Sequence, residues 1–138
     1  MDIKTLVDEQ KDAGEQLLTR LRSKGFDVTV GLWAFITDED EWRLYIASSD
    51  VERVGLAQAF VTVNRELVNS TGQWVQNSDV RLIESRDPIA VDAVRNGSDR
   101  FPTNFGGRKL GGSIIDGAYI YPLSGASIRD ESQRQLSQ

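Results

Sequence analysis

The sequence predicts a single α+β domain. Three observations lead there. The first twenty-odd residues repeat their apolar positions with helical period. Two period-two segments follow at once, separated only by a polar turn. Helix-like and strand-like patterns then alternate to the end. A hairpin that early favours a mixed or antiparallel sheet of about four to five strands with helices packed on it. The expected order is α-β-β-α-β-α-(β)-β, with two long helices and one short one.

In the first segment Ile3, Leu6, Val7, Ala13, Leu17, Leu18 and Leu21 recur at helical spacing between charges, and Gly25 supplies a stop. A helix over 2–24 follows. Phe26, Val28, Val30, Leu32, Ala34 and Ile36 then alternate with Asp27, Thr29, Gly31, Trp33 and Phe35, which is the period of a strand. "TDEDE" is a polar turn, and "EWRLYIAS" is the return strand.

Register decides which residues share a face. An even-numbered turn leaves both sheet faces strongly apolar. An odd-numbered turn, pairing Ile36 with Trp42, gathers Val28, Val30, Leu32, Ala34, Ile36, Trp42, Leu44 and Ile46 on one face. The other face then carries Asp27, Thr29, Trp33, Phe35, Arg43 and Tyr45. The odd turn separates core from amphipathic residues better and is the preferred register.

Ser48-Ser49-Asp50 offers N-caps for a helix over 51–69, striped by Val54, Leu56, Phe60, Val63, Leu67 and Val68. Trp74 follows it and is expected to cap the core. Val80, Leu82 and Ile83 predict a strand over 79–85, and Asp87-Pro88 predicts the N-cap and first residue of a short helix over 88–95. A loop leads to an apolar strand over 114–123. Gly111-Gly112 is read as a hairpin turn and Asp116-Gly117 as a bulge, with Asp116-Gly117 as the tight turn in an alternative arrangement. Residues 1–125 form the expected domain, and 126–138 a polar, frayed tail.

Composition excludes several chemistries. The 138 residues contain no cysteine and no histidine, which removes disulfides, thiolate or imidazole zinc sites and Ser-His-Asp catalysis. Any enzyme chemistry would fall on carboxylates, hydroxyls or the four lysines. No cofactor and no metal are expected: "DEDE" at 38–41 lacks the alternation and glycine of a calcium loop. Apolar runs are too short to span a bilayer, and the acidic start has no signal-peptide core, so a cytoplasmic location is expected.

The net charge is −5, yet residues 95–112 carry Arg95, Arg100, Arg108 and Lys109 against Asp99 alone. This glycine-rich stretch does not match a P-loop, because Lys109 lies too early before Ser113. It remains a candidate anion site, with Arg100, Arg108 and Lys109 supplying charge and Gly106 and Gly107 backbone donors, for phosphate or nucleic acid.

The leading expectation is a non-enzymatic interaction module that binds a protein partner or a second copy of itself. Trp33, Phe35, Tyr45 and Arg43 are its candidate partner surface, since the preferred register leaves them together on the face away from the core. Trp33→Glu is then expected to separate the partners and spare the fold. A carboxylate-dependent enzyme is the weaker alternative. "GFDVTVGLWAF", "EWRLYIASSDVERVG", "DPIAVD" and "GGRKLGGSIIDGAYIYPL" together resemble a set of small bacterial proteins that carries no assigned activity. The resemblance spans most of the chain and implies an independent small domain.

Overall fold

A computed structural model of the chain describes residues 5–70 and 74–123, without the side chains of Ser70 and Arg108. The expected tail at 126–138 lies outside the described residues. The fold is α+β, with α1 (Asp8–Ser23), β1 (Val30–Ile36), β2 (Glu41–Ser48), α2 (Ser49–Val54), α3 (Leu56–Ser70), β3 (Val80–Glu84), α4 (Pro88–Asn96), β4 (Thr103–Phe105), β5 (Arg108–Leu110) and β6 (Ser113–Ile120).

The strands form one mixed sheet in the order β3-β2-β1-β6-β4, with β5 also on β6. β2 and β3 are parallel, joined by the α2–α3 crossover, and the other pairs are antiparallel. α1 and α3 cover one face, where Leu17, Leu18, Leu21, Ala59, Val63 and Leu67 pack on Trp33, Leu44 and Ile46. On the other face Ala90 and Ala93 of α4 pack with Val30, Leu32, Ala34, Tyr45, Ala47 and Ile120. Helices therefore cover both faces, and the sheet is the middle of three layers. No helix among the described residues is long and apolar enough to cross a membrane.

This layering corrects the hairpin register. Ile36 pairs with Glu41, and Phe35 pairs with Trp42, across an even turn of four residues, Thr37–Asp40. Asp40 closes the turn at φ 55°, a conformation that aspartate tolerates better than most residues. The odd register separates the faces well only if one of them meets water. Here both are buried, so an apolar pattern on each parity is what the fold requires.

Two helix expectations and one core expectation shift as well. α1 starts at Asp8 rather than residue 2, with the Gln10 side chain accepting the Val7 N–H at 3.2 Å and Asp8 and Glu9 in the first turn, where acids suit the helix dipole. The single helix over 51–69 is instead α2 and α3, divided at Gly55 with φ 93°. Trp74 is 40% exposed, while its neighbour Val75 enters the core. The hairpin turned by Gly111-Gly112 forms, and Asp116 is the bulge residue, since Phe35 pairs with Gly117 and Ile36 with Ile115.

One junction ties α1 and β1 to the segment after β6. The Trp33 indole N–H donates to the Tyr121 hydroxyl at 2.9 Å, and that hydroxyl donates to the Lys11 carbonyl at 2.6 Å. Gly14 of α1 faces the pair, and a Cβ there would collide with the Tyr121 oxygen. Gly14→Ala should therefore destabilise the protein. The clash costs about 1–3 kcal/mol and outweighs the helix-propensity gain of about 1 kcal/mol. A rise in the urea midpoint would show that α1 and Tyr121 are not in close contact.

Candidate functional site

The expected aromatic surface does not form. Trp33 and Phe35 are buried on the α1 side of the sheet, at 0% and 2% exposure. Tyr45 opposes Leu32 and lies buried on the α4 side. The even register is the cause: it puts Tyr45 and Trp33 on opposite faces of the sheet. Arg43 shares the Tyr45 side, but it serves the turn. Its Nε lies 3.4 Å from Glu39 Oε1 and its Nη1 lies 3.9 Å from Asp79 Oδ1.

Glu39 thus reaches back from the "DEDE" turn. It also accepts the Tyr45 hydroxyl at 3.2 Å, with Arg81 at 3.8 Å. Burial, followed by the nearby Glu39 carboxylate and its hydrogen bond, pushes the Tyr45 phenol up to about 12. Free tyrosine ionises near 10. A pKa raised in the folded state means that this contribution to stability is complete below about pH 10. It is lost as the pH rises toward 12. Unfolding titrations from pH 9 to 12 should show the loss, and Tyr45→Phe should reduce its slope while leaving the share of Tyr119 and Tyr121, whose phenol pKa values burial also raises.

The basic stretch is placed as follows. Arg100 is exposed in the loop after α4, and Lys109 is exposed on β5 beside Arg108. Gly106 and Gly107 form the bend between β4 and β5. Gly106 is there to let backbones approach, since a Cβ would lie 2.5 Å from the Asp116 carbonyl oxygen. The Gly111 N–H is already donated to Asp92 Oδ2 at 2.7 Å.

A cleft that sequence reading did not single out opens instead on the α1 side of the sheet, with a volume of about 350 Å³. Its floor follows from the register. Trp42 opposes Phe35, and Phe35 opposes Gly117, so the row running out from Trp42 ends at a residue without a side chain. One pair along, Trp33 opposes Tyr119, and Tyr119 opposes Asn104. Trp42 and Tyr119 stand as aromatic walls around the gap, with Asn104 and Asp116 at its margin and Leu6 and Lys11 contributed from the α1 side. Trp42 is braced edge-on by Phe35 at 5.6 Å, and Tyr119 by Tyr121 at 5.1 Å.

The electrostatics are specific. The Lys11 ammonium lies 4.9 Å from the centre of the Tyr119 ring and 3.8 Å from Asp8 Oδ1. Burial raises the Tyr119 pKa, and Glu15, Asp12 and Asp8 raise it further. The surroundings are therefore acidic despite the lysine. Among the described residues no three acidic side chains converge to hold a metal.

A second recess of about 220 Å³ lies at the α2–α3 break, lined in part by Asp50, Arg53 and Lys24. Asp50 is occupied structurally. It accepts the Asp27 N–H at 2.9 Å and pairs with Arg53, and both hold its carboxyl below the usual range. The Asp27 carboxylate in turn accepts the Ser49 N–H and hydroxyl, at 3.2 and 2.7 Å. This reciprocal clasp fixes the start of α2 against the segment before β1.

No family model, no curated protein and no solved structure matches the chain. The class of protein rests on its own geometry: an α+β domain with a sheet covered on both faces and an aromatic cleft at one end of it.

Proposed function

We propose that the protein is a small, non-enzymatic interaction module that holds a segment of a protein partner in the Trp42–Tyr119 cleft. The supporting observation is the cleft itself. Two half-buried aromatic rings stand beside a gap left by Gly117, with polar groups at the margin. Concave sites with apolar walls and a few placed polar groups are the usual form of a recognition site. The absence of histidine and cysteine accords with binding rather than catalysis. It also accords with a cytoplasmic location. The phosphate-binding alternative at 95–112 would fall on Arg100, Arg108, Lys109 and the Gly106 and Gly107 N–H groups, since the Gly111 N–H is donated to Asp92.

Selection of random heptapeptides on the protein tests the reading. The expected result is an enriched motif whose binding drops by at least tenfold in Trp42→Ala, as for a central interface aromatic, with circular dichroism unchanged. Enrichment that is indifferent to Trp42 and Tyr119 would move the partner surface elsewhere. Concentration-dependent light scattering that responds to Trp42→Ala would identify the partner as a second copy of the chain.

A further inference from the structure

The geometry points to a cationic side chain, an arginine or lysine of the partner segment, as the group that anchors in the cleft, where it displaces Lys11 from the face of Tyr119. This rests on the proposed reading of the cleft and names its ligand.

Lys11 shows what the site accepts. Its ammonium lies 4.9 Å from the Tyr119 ring centre, within the reach of a cation–π contact. Its side chain is 28% exposed, so packing on the ring holds it more than its ion pair does. Its partner Asp8, 3.8 Å away, is 92% exposed, and ion pairs of that kind contribute little. The charged residues in the lining itself are Lys11 and Asp116. Asp8, Asp12 and Glu15 of α1 lie close enough to act on the Tyr119 hydroxyl. With Lys11 swung outward, the cleft is an aromatic pocket fringed by carboxylates. An acidic segment meets repulsion from four acids. An apolar side chain fills the gap but leaves Asp116 unanswered. A guanidinium suits both features: its flat face stacks on Trp42 or Tyr119, and its N–H groups serve Asp116 and the Asn104 carbonyl. Lys11 is then an internal competitor that keeps the rings covered until a better cation arrives.

The test uses three Gly/Ser heptapeptides, with a central Arg, Leu or Glu, titrated into the ¹⁵N-labelled protein and followed by NMR shifts. The Arg peptide should shift Tyr119, Gly117 and Trp42 signals. Lys11→Met, which keeps the length and removes the charge, should tighten its binding roughly fivefold, the scale of one exposed cation–π contact. Asp116→Asn should weaken it. Equal binding of the Leu peptide, or weaker binding of the Arg peptide by Lys11→Met, overturns the cationic anchor and leaves the cleft standing. No shift with any peptide in either protein also overturns it, and the Trp42-dependent selection then decides the cleft separately.

Discussion

Trp33→Glu should abolish folding. Trp33 is fully buried, and its indole N–H is committed to Tyr121. Replacing a large core aromatic costs about 3–5 kcal/mol in lost packing. An unpaired carboxylate in its place costs several kcal/mol more. The sum reaches the whole stability of an ordinary domain, about 5–15 kcal/mol. Far-UV circular dichroism should therefore report an unfolded chain at 25 °C. A folded Trp33→Glu that had merely lost an oligomer would restore the interface expected from sequence, and with it the odd register. Tyr121→Phe is the milder companion. It keeps the ring and strands the indole N–H, for about 1–3 kcal/mol.

Local patterns carried far. Period-two spacing located β1 and β2, with β2 placed at its observed limits, and Asp87-Pro88 marked the start of α4, where Asp87 Oδ1 accepts the Ile89 N–H at 2.9 Å. The glycine turn and the Asp116 bulge were legible for the same reason: backbone geometry there depends on adjacent residues.

Register was not legible, because it depends on how many faces the helices cover. That is a property of the whole chain. The helix that covers the second face presents only Ala90 and Ala93 at full burial, a weak signal beside the leucines of α1. The cleft was hidden for a related reason. Trp42, Gly117 and Lys11 are far apart in sequence, and pairing of β1 with β6 brings them together. Glu39 shows the same limit. Its place in a solvated turn is visible, but its bonds to Arg43 and Tyr45 require the even register.

Gly111→Ala should cost about 2–4 kcal/mol, and its neighbour Gly112→Ala only about 1 kcal/mol. Both glycines sit in left-handed conformations, at φ 58° and 86°, so each substitution carries a strain of about 1 kcal/mol. The difference lies in what surrounds them. A Cβ on Gly112 meets nothing within 4 Å, whereas one on Gly111 would collide with the Ile89 nitrogen and lie 2.6 Å from the Pro88 carbonyl carbon. Those are backbone atoms at the start of α4, held by the Asp87 cap and unable to rotate aside. Relief requires α4 to lift from the sheet, loosening Ala90 and Ala93 and the Gly111–Asp92 hydrogen bond. Overpacking of this sort adds about 1–3 kcal/mol. The two glycines thus divide the work: both make the hairpin turn, and Gly111 also seats α4 on it. Urea midpoints of the two variants measure the division. Equal losses would mean that the turn alone is strained and that α4 does not pack against it. A far larger loss for Gly111→Ala would show that the close seat of α4, and not the turn alone, requires this glycine.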